Sequence, residues 1–125
     1  MFYSEELKKF KNLHHCFFSK KNGFSKGIYT SLNCGLGSND IKDDVNKNLN
    51  FVSKNIDVKQ KKLILMNQTH SNKVVVINKN NLSSKKINSD ALITQLKDTA
   101  ICVLTADCVP LILYDESSRT IGCVH

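Results

Sequence analysis

The chain has 125 residues, of which 41% are hydrophobic, 23% are charged and one is proline, a composition that is typical of one globular domain and excludes a disordered protein. The net charge of +7 comes from 18 basic and 11 acidic residues and raises the question of a nucleic-acid or membrane partner. Arg119 is the only arginine, and because base readout and bidentate phosphate binding favour arginine, a solvated lysine-rich face is the preferred interpretation.

The cysteines and the hydropathy pattern bear on the cellular compartment. The five cysteines form no CxxC pair, the first residues are too polar for a signal peptide, and no apolar run approaches the about 20 residues that cross a bilayer. We therefore expect reduced thiols in a cytoplasmic protein without a membrane partner.

The first 37 residues alternate between short elements and a long loop. Residues 4–10 are consistent with a short helix, and the apolar residues 13–19 with a strand. Four of the five glycines fall in residues 20–37, which predicts tight backbone bends instead of a regular element.

Residues 38–54 give the clearest helix prediction. Their apolar residues recur at steps of three or four and form one stripe, which consists of Ile41, Val45, Leu49, Val52 and Ile56. Ser38, Asn39 and Asp40 are candidate N-caps.

The remainder of the chain is predicted to be strands. The expected strands are residues 63–66, 73–77, 90–94, 99–105, 109–114 and 120–124, with a polar connection at 78–89. Residues 115–118 are suited to a hairpin loop, and Pro110 belongs at a strand start or an edge. The predicted fold class is α/β (or α+β), with a mixed sheet and flanking helices.

Three potential metal ligands follow apolar segments. His70 and Cys108 each come after a predicted strand, and His125 ends the last one. Two imidazoles and a thiolate form the ligand set of an open zinc site and would also accept copper. Taken singly, each residue has an ordinary alternative: a surface histidine, an inert buried thiol and a frayed end. His14-His15-Cys16 is a weaker competitor, because adjacent strand residues point to opposite faces.

Five segments occur in a distinctive order: FSKGIYTSLN at 24–33, QTH at 68–70, DALIT at 90–94, TADCVP at 105–110 and IGCVH at 121–125. Together they resemble the motifs of the laccase-domain family. That family was first described as multicopper polyphenol oxidases and is now described as zinc-dependent purine nucleoside phosphorylases.

The resemblance implies an α/β fold and a metal, Zn²⁺ or copper, held by His70, Cys108 and His125. It also implies phosphorolysis of adenosine, inosine and 5′-methylthioadenosine, and deamination of adenosine. For deamination, Asp107 and Cys108 are the candidate catalytic residues. Asp107, beside the Cys108 thiolate, is a candidate proton carrier, although a carboxylate that only bonds to backbone is the slightly preferred interpretation. For phosphorolysis, the candidate substrate-binding residues are Lys20, Ser31 and Asn33.

The chain departs from the family pattern in two respects. Lys20 stands where family members usually carry arginine, and Asn22-Gly23 replaces a Gly-Gly pair. The family motif also continues beyond the histidine that His125 matches. Residues 1–125 are therefore predicted to be a single truncated domain, incomplete relative to the family fold, that self-associates or needs a complementing C-terminal half. An inactive remnant that binds metal or a partner, and a basic nucleic-acid-binding module, remain as alternatives.

Overall fold

The computed structural model describes residues 1–82 and 87–125 and divides into two compact units, Met1–Gln60 and Lys61–His125. Part of the predicted polar connection, residues 83–86, lies outside the described residues. The prediction of a single domain over residues 1–125 stays a prediction.

The first unit contains one α-helix among its residues, α1 (Lys42–Asn55), and two short 3₁₀ turns, Leu7–Lys9 and Gly27–Tyr29. The helix predicted at residues 4–10 is thus only a 3₁₀ turn. The strand predicted at 13–19 is wrong: its one ladder contact is an isolated bridge between Phe17 and Phe2. A single bridge pairs too few backbone groups to make a strand.

The helix α1 begins later than predicted. Ile41 is its N-cap residue, and no side chain caps it. Ser38 and Asp40 are not caps because they belong to the preceding turn: Ser38 Oγ donates to the Gly35 carbonyl at 2.7 Å, and Asp40 Oδ1 accepts from the Ile41 N–H at 2.8 Å. The predicted stripe is buried at Val45, Leu49 and Val52, whereas Ile41 is 64% exposed.

A buried amide joins α1 to the glycine-rich loop. Asn48 is fully buried, and its Oδ1 accepts the Phe24 N–H at 2.7 Å. Its Nδ2 lies 2.8 Å from Ser25 Oγ and 2.7 Å from the Asn33 carbonyl oxygen. Because these loop groups find their partner on the helix, the loop keeps a defined shape without a regular element.

The second unit contains two sheets. In one, β1 (Leu63–Leu65) pairs in parallel with β4 (Ala100–Cys102). The other has the order β2-β3-β6-β5 and consists of β2 (Val74–Ile77), β3 (Ala91–Thr94), β6 (Thr120–Val124) and β5 (Leu111–Asp115). Here β2 and β3 are parallel and the other two pairs are antiparallel, so the predicted mixed sheet is confirmed, although with one α-helix in the described chain instead of several.

The loop between β5 and β6 confirms the predicted hairpin. Asp115 pairs with Thr120 at the end of the ladder, and the Asp115 carboxylate accepts hydrogen bonds from Ser117 and Ser118 within the turn. Pro110 directly precedes β5, where its missing N–H costs no ladder bond.

The four-stranded sheet has one covered and one open face. On the covered side, Leu92 and Cys123 are buried in a core with Ile64, Met66 and Ile77. The other side, called here the exposed apolar face, consists of two cross-strand rows: Val74, Ala91, Val124 and Leu111, then Val76, Ile93, Gly122 and Leu113. Its edge-strand side chains are 52% to 58% exposed. Ala91 and Gly122 in the middle of this face are buried, so its most exposed apolar side chains lie on the two edge strands, β2 and β5.

Candidate metal centre

The structure brings the side chains of His70, Cys108 and His125 together. Their ligand atoms all lie within 4.8 Å of one another, and the two imidazole centroids are 4.8 Å apart with ring planes at 75°. Tetrahedral zinc ligands are separated by about 3.3–3.7 Å, given metal–ligand bonds of ~2.0–2.3 Å. Since His70 and Cys108 are exposed, rotation of their side chains can bring the ligand atoms to this tetrahedral separation. The ligand set therefore fits zinc.

Strand pairing accounts for part of this convergence. The segments that carry His70 and Cys108 follow β1 and β4, which run in parallel and therefore end on the same side of their sheet. The Gln68 side chain extends that pairing beyond the strands: its Nε2 donates to the Leu104 carbonyl at 2.6 Å, and its Oε1 accepts the Leu104 N–H at 2.7 Å. Gln68 thereby keeps the histidine-bearing segment beside the cysteine-bearing one.

Asp90 is the functional residue that the sequence analysis missed. Its side chain is 4% exposed, and Oδ1 lies 2.8 Å from His125 Nδ1 and accepts the His70 N–H at 3.0 Å. Oδ2 accepts the Thr69 N–H at 3.1 Å and, from Ser71, both the N–H and the hydroxyl at 2.8 Å. One carboxylate thus contacts both histidine-bearing segments.

The charge of Asp90 determines which nitrogen of His125 is available. Burial opposes ionisation, but the hydrogen bonds from His125, Ser71 and Thr69 outweigh it and hold the pKa of Asp90 well below its usual range. An ionised carboxylate only accepts hydrogen bonds, so His125 Nδ1 must carry the proton. Whenever the ring carries only this proton, its Nε2 lone pair is free for a metal.

The backbone at His70 also depends on this carboxylate. His70 has φ of 56°, in the left-handed region that non-glycine residues adopt at a cost of about 1 kcal/mol. The bonds from the His70 and Ser71 N–H groups to Asp90 offset that cost. The turn therefore presents the imidazole in a defined direction.

A sequence profile of the family described as multi-copper polyphenol oxidoreductase laccase matches residues 14–125. The chain belongs to this laccase family. The resemblance seen in the sequence motifs is thereby confirmed.

Curated relatives in the laccase family carry an enzymatic name. The chain is 30% identical over 128 residues to a purine nucleoside phosphorylase of Bacteroides thetaiotaomicron, covering 97% of this chain and 47% of that protein. It is 34% identical over 110 residues to one of Corynebacterium glutamicum, covering 87% and 45%. The chain thus spans about half the length of these relatives.

Solved structures confirm the fold. YlmD of Geobacillus stearothermophilus has a TM-score of 0.76 at 25% identity, and YfiH of Bacillus licheniformis has a TM-score of 0.78 at 24% identity. In both cases the match covers 85% of this chain and 42% of the solved structure's chain. The mixed α/β fold of the laccase family is therefore present in part.

The departure from the family's Gly-Gly pair has a backbone explanation. Asn22 has φ of 68°, a left-handed conformation that asparagine tolerates better than most residues. A Cβ on Gly23 would lie 2.0 Å from the Ser31 carbonyl oxygen. The first position of the pair therefore accepts asparagine, whereas the second has no room for a side chain.

The other predicted site residues have different surroundings. Asp107 is exposed beside Cys108. In the first unit, Ser31 Oγ donates to the Lys20 carbonyl at 2.6 Å, and Asn33 Nδ2 donates to Asp40 at 2.9 Å. Both side chains thus support the loop. Catalysis by Asp107 and Cys108, and substrate binding by the loop residues, stay predictions.

The competing cluster at residues 14–16 does not form a metal site. Among the described residues, a group of at least three possible ligands occurs only at His70, Cys108 and His125. His15 Nε2 instead accepts the Ser4 N–H at 2.8 Å.

No helix in the described ranges is both long and apolar enough to span a membrane.

Proposed function

We propose that this chain provides the zinc-binding half of a purine nucleoside phosphorylase. The observation that carries the proposal is the convergence of two imidazoles and one thiol within 4.8 Å, in a laccase-family chain whose curated relatives are named for that activity. Two histidines and one cysteine leave a coordination position open, which is typical of catalytic zinc and not of structural zinc.

Zinc bound at this site would polarise a substrate or activate water near neutral pH. His125 and Asp90 form the buried wall of the site, while His70 and Cys108 are on the accessible side. Asp107, exposed next to Cys108, is the candidate acid that would protonate the leaving ammonia in deamination of adenosine. Copper is the alternative metal, because the same ligand set accepts it.

The proposed substrates are inorganic phosphate and the purine nucleosides adenosine, inosine and 5′-methylthioadenosine. Lys20 retains a positive charge suited to phosphate, although without the two-pronged geometry of an arginine. Ser31 and Asn33 would contribute to substrate binding mainly through the loop conformation that they stabilise. Cys16, Cys34, Cys108 and Cys123 have free thiols, which supports a cytoplasmic location.

Metal content tests the first part of the proposal. We expect one zinc per purified chain, measured by elemental analysis, and its loss in His70→Ala and Cys108→Ala. His14→Ala is the matched control, since His14 is an exposed imidazole outside the site. Equal zinc content in all four proteins would contradict the assignment, whereas salt-sensitive nucleic-acid binding without zinc would favour the basic-module alternative.

Phosphorolysis tests the second part. Phosphate-dependent release of hypoxanthine from inosine should require zinc and be absent in Cys108→Ala. The reaction should be measured with the chain alone and with the polypeptide that corresponds to the remaining length of the Bacteroides relative. Zinc binding without turnover in either mixture would leave the inactive remnant as the correct description.

We propose that this complementing polypeptide covers the exposed apolar face. The face is apolar in both of its cross-strand rows, and the chain corresponds to 47% of that relative, so a large part of the family fold is available to bury it. Leu113→Lys should abolish association in sedimentation experiments. Ile28→Lys is the control, because Ile28 is 92% exposed and lies in the other unit. A homodimer abolished only by Leu113→Lys would identify a second copy as the occupant and overturn this proposal.

A further inference from the structure

Asp90 divides its two carboxylate oxygens between different tasks. Oδ1 contacts the His125 ring and the His70 backbone, whereas the described donors to Oδ2 belong to Thr69 and Ser71. Both histidines of the centre are thus held by one oxygen atom of one buried side chain.

We propose that Asp90 is the positioning residue of the metal centre, which orients both imidazoles and selects the Nε2 atom of His125 as its metal ligand. This inference rests on the proposed zinc site, because it concerns the residues that would hold that ion. A carboxylate behind a metal-binding histidine fixes the ring and makes it a stronger ligand, and its loss typically lowers metal affinity 10–100-fold.

The two histidines depend on Asp90 in different ways. At His125 the contact is with the ring itself, at 2.8 Å from Nδ1. At His70 it is with the backbone N–H, in a turn that needs support because φ is 56°. Loss of the carboxylate should therefore change the tautomer of His125 and the direction of the His70 ring together.

The backbone of Asp90 has separate structural bonds that a substitution of the side chain leaves in place. Its N–H donates to the Lys73 carbonyl at 3.0 Å, and its carbonyl accepts the His125 N–H at 2.8 Å. The strand register next to the site should thus survive in Asp90→Asn. Asparagine has an NH₂ group in place of one carboxylate oxygen. Whichever way the amide is turned, this group faces N–H donors, either those of Thr69 and Ser71 or those of His70 and His125, so one of the two sets loses its acceptor.

A purely structural role for Asp90 is the competing explanation, and Ser71→Ala separates the two. This substitution removes the hydroxyl bond to Oδ2 and the bonds that the Ser71 hydroxyl accepts from Thr69 and Lys73, and it leaves the contacts of Oδ1 with both histidines unchanged. It therefore weakens the turn without altering the tautomer. Thermal unfolding of the metal-free proteins supplies the measure of structural damage.

The experiment measures zinc affinity by competition with a chromogenic chelator, and the His125 tautomer by two-bond ¹H–¹⁵N correlation in the metal-free chain. We expect Nδ1–H in the wild type, a shift towards Nε2–H in Asp90→Asn, and an affinity loss of about 10–100-fold. Ser71→Ala should lose less than about threefold and keep the tautomer. The proposal would be overturned if the losses of zinc affinity were proportional to the decreases in unfolding temperature and the His125 tautomer stayed unchanged.

Two outcomes separate this inference from the proposed function. If Asp90→Asn does not fold, the wild-type tautomer still decides: a His125 ring protonated at Nε2 instead of Nδ1 overturns the role of Asp90. If the chain binds zinc but cleaves no nucleoside, the proposed reaction fails, while the affinity ratio of Asp90→Asn to Ser71→Ala supports or rejects the positioning role by itself.

Discussion

Each of the two units contains one buried polar side chain that organises a loop, but the chemistry of the two side chains differs. In the first unit the neutral amide of Asn48 both donates to and accepts from the glycine-rich loop. In the second unit the ionised carboxylate of Asp90 only accepts, from the turn around His70 and from the His125 ring. An amide can satisfy a mixed set of backbone groups, whereas a carboxylate also fixes the proton of a neighbouring imidazole. The first arrangement stabilises a loop, and the second prepares a ligand.

The largest effect is expected in thiol reactivity, which should separate two buried cysteines, one in each unit, from the exposed Cys108. Burial raises the pKa of Cys34 in the first unit to about 11 and that of Cys123 in the second to about 12. At pH 8 their thiolate fractions are then about one in a thousand and one in ten thousand, so alkylation should be very slow. Exposed Cys108 should react at least about a hundredfold faster in the metal-free chain.

Mass spectrometry after timed iodoacetamide treatment measures all five cysteines at once. Zinc should protect Cys108 and leave the rates of Cys34 and Cys123 unchanged. Rapid labelling of Cys123 would show that the core beneath the sheet opens readily. Labelling of Cys108 that is indifferent to zinc would argue against its role as a ligand.

Substitution of Asn48 should have a large effect on stability. Asn48→Ala removes the hydrogen bonds that Asn48 makes with the Phe24 N–H, the buried Ser25 hydroxyl and the Asn33 carbonyl, and we expect a loss of about 3 kcal/mol in the free energy of unfolding. Denaturant unfolding followed by circular dichroism at 222 nm reports on α1, which carries the residue.

Asn50→Ala is the matched control on the same helix, because Asn50 is exposed and the change should stay within about 0.5 kcal/mol. Zinc affinity should be unaffected in the folded fraction of both variants, since all three ligands belong to the other unit. Equal stability losses for the two variants would show that Asn48 does not hold the loop.

The smallest effect is expected at the β5–β6 hairpin, where an exposed carboxylate can be compared with the buried Asp90. Hydrogen bonds from Ser118 and then Ser117 lower the pKa of Asp115. Because the folded pKa lies below the unfolded value of about 3.9, the stabilisation is present above that pH and is lost as the pH falls through the folded pKa. Asp115→Asn should thus be slightly less stable at pH 7, and the difference should vanish in acid.

Thermal unfolding of both proteins between pH 7 and pH 2 provides the measurement. A stability difference that is constant over this range would show that the charge of Asp115 contributes nothing. A stability difference that grows as the pH falls would mean that folding raises the pKa of Asp115 instead of lowering it.

Local periodicity allowed the positions of many strands in the second unit to be predicted. Apolar runs located β1, β3 and β6, and the position of three potential ligands after such runs predicted their convergence. The first unit was less accessible, because the apolar residues 13–19 resemble a strand, yet only the Phe2–Phe17 bridge pairs there. Whether a strand forms depends on a partner elsewhere in the chain, which its own sequence does not encode.

The roles of Asp90 and Asn48 were missed for a related reason. The sequence pattern places Asp90 at the start of a strand and gives no sign of its contacts, because its hydrogen-bond partners lie 19 to 35 positions away in the chain. Asn48 did leave a signal, since it falls between Val45 and Leu49 on the buried side of α1. A polar residue within an apolar stripe indicates that distant backbone groups need a partner.

The confinement of His70, Asp90, Cys108 and His125 to residues 61–125 has an evolutionary consequence. Under the proposed function, changes in the glycine-rich loop of the first unit would alter substrate recognition, while the residues that would hold the metal and their supporting carboxylate stay the same. One inorganic centre could in this way serve a succession of organic substrates within the same lineage.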